Sequence, residues 1–442
     1  MSLLFDTLYV LAGLAMLPWW LWKLPRAERY RAGVKQRLGL APELPADRPR
    51  VWIHCASVGE AAVPRRLVES IRRRYPRRDI VFSTNTNTGA GRLRELYPDC
   101  AVFYMPLDVS FCSGRALDRV SPDVVLVVEL ELWPNFLHQC RRRGIAVGIV
   151  SGRIGEGSRR LLRILSRLRP DMWEAIAVCC ARSKDDAAGF RRAGLSPDKV
   201  RNCGSLKYDA IQTEPDRQKL DHLRRLFSIE PDAPVLVAGS THEGEEAVVG
   251  SAYKALKLRH RKLRLVVAPR HVERATAAAA TLKARGLPVV RKTLLESRHT
   301  AATSDAVVVL DTIGELAACY ALAHCAFVGR SLLPPGGGQN MMEPAGLGVP
   351  VIVGPHTGNF RPEMELLRRE EAVLVVQDGT ELIKTVDRLL SDPALAEKMG
   401  RAGRRVISES QGAAQRTLEA LEPLLEGASQ QSNRTPVRAP GS

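Results

Sequence analysis

The amino-acid sequence predicts an α/β protein that contains two doubly wound domains, one after the other. Short apolar runs alternate with amphipathic basic segments, which is typical of parallel sheets covered by helices on both faces. The alternation stops in a charged segment, residues 213–234, and restarts at Val235. The chain has 442 residues, of which 45% are hydrophobic, and this is enough for two or three domains with full cores.

The apolar runs predict two groups of strands. The first group is residues 51–54, 80–84, 102–105, 124–129, 145–150 and 176–180, and the second is 235–239, 263–268, 289–291, 306–310, 326–329, 351–354 and 372–376. Ligands of doubly wound sheets bind at the carboxyl ends of the strands. We therefore expect the two domains to face a cleft that holds the substrates.

The same rhythm predicts the domain boundaries. We expect an N-terminal membrane anchor with its basic flank in residues 1–45, a first domain in 46–212, a linker in 213–234, a second domain in 235–427 and a disordered tail in 428–442. The tail is rich in Gln, Ser, Pro and Arg, a composition typical of disorder. The last helical stretch, residues 393–425, is expected to pack back on the first domain.

The N-terminal segment predicts a membrane anchor. Residues 7–22 carry no charge and include Trp19, Trp20 and Trp22, and six cations follow between residues 23 and 37. A cleaved signal peptide has its cations before the apolar stretch, so the order here is the reverse. The positive-inside rule then keeps the rest of the chain in the cytoplasm, at the inner membrane. The stretch is shorter than the ~20 residues that cross a bilayer comfortably. Two other interpretations therefore stay open: a helix that lies in the membrane interface and an ordinary buried helix.

The composition indicates an anionic partner. Lys and Arg number 65 against 48 Asp and Glu, a net charge of +17, which suits nucleic acid, a membrane surface or a phosphorylated substrate. Aromatic residues are only 5% and do not alternate with basic ones, which disfavours single-stranded nucleic acid. The nine cysteines form no CxxC pair, and they indicate buried thiols in a reducing compartment rather than a zinc site.

Carboxylates follow two predicted strands of the first domain. Glu60 comes after the first strand, in the first turn of a predicted helix, and it is either a general base or a carboxylate that caps the helix. Glu129 and Glu131 end another strand; two residues apart in an extended chain, they are expected to face the same way. Lys207 could supply their cation, and a structural ion pair is the competing interpretation.

The second domain contains candidate anion-binding segments. Residues 239–246 form a small-residue turn before a helix, which can bind an anion. Arg270 follows a strand and presents a planar fork to a phosphate or carboxylate. A Gly-rich loop, residues 336–338, allows close approach of a phosphate. Neither GxGxxG nor a P-loop motif occurs, and no metal-ligand spacing is present.

Together the motifs resemble the Kdo transferase family, the lipopolysaccharide inner-core enzymes that transfer 3-deoxy-D-manno-octulosonic acid (Kdo). WIHCASVGE (52–60), ELELWPN (129–135), GSTHEGEE (239–246), APRH (268–271) and NMMEP (340–344) occur in the family's order and approximate spacing. The resemblance implies a GT-B fold of two Rossmann-like domains. It also implies inverting transfer of Kdo from CMP-Kdo to a lipid A precursor, without a metal or other cofactor.

The resemblance also implies roles for individual residues. It maps the catalytic base onto Glu60 and the groups that stabilise the transition state onto Glu131 and Lys207. It maps the CMP contacts onto Pro269, Arg270, Ile313, Gly314, Glu315, Asn340, Met341, Met342 and Glu343. Three features depart from the family's pattern: Cys55 where Ala is usual, Arg330 where a second Gly is common, and a Pro-rich loop at residues 334–339.

The expected partners are therefore CMP-Kdo, a lipid A precursor and an anionic membrane surface, and not nucleic acid. Two other functions stay open. One is another nucleotide-sugar enzyme of the same fold, such as a UDP-sugar 2-epimerase or a different transferase. The other is a basic, membrane-tethered protein that binds anionic lipid without catalysis.

Overall fold

The apolar runs form parallel strands in the computed structural model of the chain, which describes residues 33–168 and 171–431. The strands of the first half are β1 (Arg50–His54), β2 (Asp79–Thr84), β3 (Ala101–Tyr104), β4 (Val124–Val128), β5 (Ala146–Gly152), β6 (Ile176–Ala181) and β7 (Val200–Asn202). Those of the second half are β8 (Val235–Thr241), β9 (Arg264–Pro269), β10 (Val289–Arg291), β11 (Val307–Val309), β12 (Cys325–Val328), β13 (Val351–Val353) and β14 (Val373–Val375). Each predicted run overlaps a strand, whereas no apolar run predicts β7.

Helices connect the strands. In the first half they are α1 (Val34–Arg37), α2 (Val58–Ala61), α3 (Arg65–Arg74), α4 (Asn87–Leu96), α5 (Ser110–Val120), α6 (Pro134–Arg142), α7 (Glu156–Leu168), α8 (Asp171–Glu174), α9 (Lys184–Arg192) and α10 (Leu206–Asp209). They continue with α11 (Arg217–Leu226), α12 (Glu245–Lys257), α13 (Ala275–Lys283), α14 (Lys292–Ser297), α15 (Leu316–Ala321), α16 (Met342–Gly346), α17 (Arg361–Arg369), α18 (Gly379–Ser391), α19 (Pro393–Ser410) and α20 (Ala413–Gln431).

Each half contains a seven-stranded parallel sheet with its first strand in the interior. The strand orders are β3-β2-β1-β4-β5-β6-β7 and β10-β11-β9-β8-β12-β13-β14. In each sheet the chain first fills one side of that strand and then crosses to the other side. The direction changes between β1 and β4 in the first sheet and between β8 and β12 in the second, and ligands of doubly wound sheets bind outside such points.

Apolar side chains on both faces of each sheet make the cores. All five residues of β1 and of β4 are buried, as expected for strands covered on both faces. Trp52 packs edge-on against Phe103 and Phe136, with ring centroids 5.0 and 5.3 Å away. The rigid sheets therefore hold the loops at their carboxyl ends, where the candidate residues lie.

The contacts divide the chain at other places than the predicted boundaries. The first unit contains the described residues up to 210 and those from 411 onward, and the second unit contains residues 211–410. The predicted linker is part of the second unit, because Leu223 and Phe227 are buried in its core. Of the stretch expected to pack on the first unit, only the α20 part does so, since Leu421 and Leu425 pack beneath the first sheet and α19 stays with the second unit.

The predicted anchor, residues 7–22, lies outside the described residues, as does the tail from 432 onward. Residues 33–45 were predicted as its flank, but they pack on the first unit: Ala41 is buried and its carbonyl accepts from Arg119 Nε at 2.6 Å. In the part of the chain that the structure describes, no helix combines the length and apolar character needed to cross a membrane.

Candidate active site

Glu60 lies at the carboxyl end of β1, beside the point where the first sheet changes direction. The side chain is half-buried in α2, where its Oε2 accepts from the Ala56 N–H at 2.8 Å and its Oε1 from the Ser57 hydroxyl at 3.1 Å. Burial, and after it the charge of Glu129, raises the pKa of Glu60 against the opposing effect of these hydrogen bonds. The contacts are those of a helix cap, and a raised pKa is what a general base near neutral pH needs.

Glu129 and Glu131 follow β4 on the other side of the same point. The expectation that they face the same way is wrong, because β4 ends at Val128 and Glu129 has a φ of 60°. Glu129 Oε1 lies 2.8 Å from Lys207 Nζ, whereas Glu131 Oε2 accepts from Asn85 Nδ2 at 2.9 Å. Lys207 is thus the cation of Glu129, and Glu131 has its own partner.

A buried histidine stands behind Glu131. His54 is fully buried, and its Nδ1 lies 2.8 Å from Ser83 Oγ, which also accepts from Trp52 Nε1 at 2.7 Å. His54 Nε2 has no hydrogen-bond partner among the described residues and lies 3.8 Å from Glu131 Oε2. The imidazole therefore faces the carboxylate at the end of β1, where it adds a polar group to the site.

The sequence contains a signal for both of these additional residues. His54 interrupts an apolar strand at its last position, and Asn85 belongs to a polar run, residues 83–88, that begins in the last two residues of β2. Their pairing with Glu131 could not be inferred, because it joins the last residue of β1 to the loops that follow β2 and β4.

Arg270 and Glu343 interact electrostatically in the second unit. β9 ends at the buried Pro269, and the Arg270 N–H donates to the carbonyl of Thr241 at 3.0 Å. The side chain of Arg270 is exposed. Glu343 Oε1 accepts from Asn340 Nδ2 at 3.0 Å. Burial raises the pKa of Glu343, against the lowering effects of Asn340 and of the Arg270 charge, so the two predicted CMP contacts share one electrostatic environment.

Met341 and Met342 contribute differently. Their side chains are 0% and 1% exposed and belong to the interior of the unit. The Met342 N–H donates to Asn340 Oδ1 at 3.2 Å. A ligand at this turn would therefore meet backbone atoms of the two methionines and the side chains of Asn340 and Glu343.

The third predicted CMP segment is an exposed turn before α15. Ile313 is 89% exposed, and Gly314 has a φ of 88° with open space on its side-chain face. Two groups fix the side chain of Glu315: its Oε2 accepts from the Thr312 hydroxyl and lies 2.9 Å from Lys292 Nζ. Although burial opposes them, these two groups lower the pKa of Glu315. Lys292, only 4% exposed, is a partner that sequence reasoning missed.

The turn predicted to bind an anion is filled by a carboxylate of the chain itself. Glu245, 1% exposed, accepts from the N–H of His242 at 2.9 Å. It also accepts from the N–H groups of Arg330, Ser331 and Leu332 at 2.7, 3.0 and 3.0 Å. Glu245 therefore joins the loop after β8 to the loop after β12, and the prediction of an open anion site at this turn is wrong.

The structure thus groups the predicted residues within each unit. Glu60, Glu129, Glu131 and Lys207 lie together in the first, and Arg270, Asn340 and Glu343 lie together in the second. Within residues 33–168 and 171–431, no three His, Cys, Asp or Glu side chains are close enough to hold a metal ion.

Comparison with known proteins relates the chain to one group of enzymes. Residues 32–210 match the family model described as 3-deoxy-D-manno-octulosonic-acid transferase, and residues 315–422 match one described as glycosyl transferase-like. The chain is 33% identical over 405 residues to the 3-deoxy-D-manno-octulosonic acid transferase of Haemophilus influenzae, which covers 91% of this chain and 93% of the relative. It is 32% identical over 432 residues to the enzyme of that name from Bordetella pertussis, with 94% and 98% coverage.

A solved structure of a different enzyme shares the fold. The UDP-GlcNAc 2-epimerase from Neisseria meningitidis is 15% identical, with a TM-score of 0.56 over 85% of this chain and all of the epimerase. At that identity the likeness concerns the fold alone. Together with the glycosyl transferase-like match, it confirms the GT-B class expected from the sequence.

Proposed function

This chain belongs to the family of 3-deoxy-D-manno-octulosonic acid transferases, and we propose on that basis that it transfers Kdo from CMP-Kdo to a lipid A precursor in lipopolysaccharide core synthesis. The grouping of Glu60, Glu129 and Glu131 with Lys207 at one end of the first sheet carries the proposal. A UDP-sugar epimerase shares the fold at 15% identity, whereas two Kdo transferases match at 33% and 32%, and this favours transfer over epimerisation.

The chemistry assigns a task to each group. A hydroxyl oxygen of the acceptor forms a bond to the anomeric carbon of Kdo while the bond from that carbon to the CMP phosphate oxygen breaks. The hydroxyl proton passes to Glu60, and CMP leaves with the electron pair of the broken bond. Glu131 and Lys207 stabilise the positive sugar and the departing negative charge, and cations of the second unit receive the phosphate.

The direct test is a reaction with CMP-Kdo and a lipid A precursor, followed by mass measurement of the products. A product heavier than the acceptor by one or more Kdo units supports transfer. Thermal shifts with CMP and with UDP separate the alternatives, because a ligand stabilises the protein that binds it. Stabilisation by UDP alone favours the epimerase-like function, and neither a shift nor a product favours a lipid-binding protein.

Arg270→Ala and Glu343→Ala are each expected to weaken CMP binding by about ten- to a hundredfold, the loss of one charge-assisted contact. Calorimetric titration with CMP measures the effect. Arg261→Ala is the matched control, because Arg261 is also exposed but precedes the amino end of β9. If both variants bind CMP as the wild type does, the donor site lies elsewhere.

An exposed apolar surface supports the proposal that the protein works at the inner membrane. Val34, Leu38, Leu107 and Phe111 are between 36% and 68% exposed. One hydrogen bond joins their two segments, because the Leu107 N–H donates to the carbonyl of Arg37 at 2.8 Å. A cation lies beside the surface, since the Arg115 guanidinium is 5.9 Å from the Phe111 ring centroid. Apolar groups among cations suit an anionic bilayer.

This surface is continuous with the catalytic grouping. Arg37 Nη2 donates to the carbonyl of Asn85 at 2.6 Å, and the side chain of Asn85 contacts Glu131. The surface begins at Val34, which lies in the basic flank that follows the apolar stretch of the predicted anchor. We therefore infer that residues 1–32 and this surface together present the cytoplasmic domains to a lipid acceptor in the membrane.

Deletion of residues 1–32 is expected to leave a folded enzyme that fails mainly on acceptor in vesicles. The deletion stops at residue 32 because residues 33–45 pack on the first unit. Transfer rates on acceptor in detergent and in anionic vesicles measure the effect, and the detergent rate is the control for folding. Equal rates for the full and shortened chains in vesicles would contradict the anchor.

A further inference from the structure

Arg330 adopts a backbone conformation that an arginine rarely takes. It follows β12 by two residues and has a φ of 55°, in the left-handed region that favours glycine. The conformation is fixed on both sides: its N–H donates to Glu245 Oε2 at 2.7 Å, and its carbonyl accepts from the Gly338 N–H at 2.7 Å. Such strain persists only where the surroundings impose it, and it concentrates at functional sites.

The side chain of Arg330 extends to the Gly-rich loop. It is half-buried, and its Nε donates to the carbonyl of Gly336 at 2.9 Å. No carboxylate of the described residues forms an ion pair with this guanidinium. Arg274 is the instructive contrast, because Glu246 neutralises it at 2.9 and 3.4 Å. The charge of Arg330 is therefore uncompensated and its two Nη atoms remain for another anion.

The position of Arg330 is that of a ligand contact. It lies after β12, next to β8, where the second sheet changes direction. Burial and the charge of Arg330 lower the pKa of His242, the residue that follows β8. The His242 ring lies 6.0 Å from that of His271, the neighbour of Arg270. Arg270 and Arg330, neither of which forms an ion pair with another described residue, thus stand at the carboxyl ends of β9 and β12, the strands on either side of β8.

We propose that Arg330 binds an anionic group of the sugar-nucleotide donor, either its phosphate or the carboxylate of its sugar. The inference rests on the proposed function. The planar guanidinium, with Nε held by the Gly-rich loop, presents the pair of donors that such groups accept. Arg330 would then link the bound anion to the Gly-rich loop, which leads directly to Asn340 and Glu343.

Arg330→Gly separates this role from a structural one. Glycine relaxes the backbone, so the unfolding temperature should stay equal or rise, while donor affinity should fall about ten- to a hundredfold. Arg330→Gln keeps the strained backbone but removes the charge, and it should lose the same affinity. Glu371→Gly is the control, because Glu371 has a φ of 54° and lies before the amino end of β14.

CMP affinity from calorimetry and the KM for CMP-Kdo are the two measurements. Weaker CMP binding together with a higher KM for CMP-Kdo supports a phosphate contact. A higher KM for CMP-Kdo with unchanged CMP binding supports a contact to the sugar carboxylate. Wild-type affinity and KM in both Arg330 variants would overturn the inference and leave the proposed function intact. A wild-type protein that binds neither compound would overturn the proposed function, and the inference with it.

Discussion

Glu60→Gln protein should bind CMP as the wild type does and transfer sugar about 10²–10⁴ times more slowly, the usual loss for a general base. Glutamine preserves both local contacts, since its amide oxygen can accept from the Ala56 N–H and its amide nitrogen can donate to Ser57 Oγ. The cap of α2 is thereby kept, and only the capacity to take a proton is lost. A pure capping role would leave the turnover nearly unchanged.

Turnover and unfolding temperature should be measured on the same preparation. Glu95→Gln is the matched control, because this carboxylate is on the surface of the same unit, 67% exposed. The pH dependence of the wild-type rate is a second measurement. Burial and Glu129 raise the pKa of Glu60, and a base must be ionised, so the rate should fall with decreasing pH at values above the ordinary carboxyl range. Near-normal turnover in a stable Glu60→Gln protein would transfer the role of base to Glu131.

Glu245→Ala should destabilise the second unit by about 3–5 kcal/mol, because it removes a buried carboxylate on which four backbone N–H groups depend. Those groups would be left without an acceptor in the loops after β8 and β12. CMP affinity should fall as well, since the second of these loops leads to Asn340. Glu243→Ala is the control: Glu243 is exposed, two residues earlier, and its loss should change stability by less than about 0.5 kcal/mol.

The tryptophans allow the two units to be followed separately. Trp52, Trp133 and Trp173 lie in the first unit, and the other three tryptophans precede residue 33, so tryptophan fluorescence does not follow the second unit, whereas far-UV circular dichroism reports on both. In a urea titration, Glu245→Ala should move the dichroism transition to lower urea and leave the fluorescence transition as the internal reference. Unchanged transitions by both probes would mean that other acceptors replace the carboxylate.

The strands could be predicted because buried parallel strands appear in a sequence as uninterrupted apolar runs. β7 could not, since its Val-Arg-Asn sequence forms an edge strand with two exposed residues. The predicted linker and the predicted end of the second domain differ from the contact-based units for a related reason. The apolar face of α11 or of α20 shows that each helix packs on a core, and which of the two cores it joins depends on contacts far away in sequence.

The candidate residues were predictable as types, and their partnerships were not. Alternation along an extended chain predicted a matched pair of carboxylates, and the positive φ of Glu129 breaks that alternation. Lys292 behind Glu315 and His54 behind Glu131 are buried polar groups whose value depends on a partner from another loop. The local sequence shows that such residues are unusual, and only the fold shows which side chain each of them contacts.

The return of α20 to the first unit makes the second unit an insertion. Residues on either side of the junction meet: Gly412 N–H donates to Asp209 Oδ1 at 2.7 Å, and Gln411 Nε2 donates to the carbonyl of Tyr208 at 3.1 Å. On the ribosome, residues 211–410 emerge as a whole before the first core receives Leu421 and Leu425. The domain translated first is therefore completed last, and until α20 has been synthesised its sheet lacks the apolar side chains that cover one face.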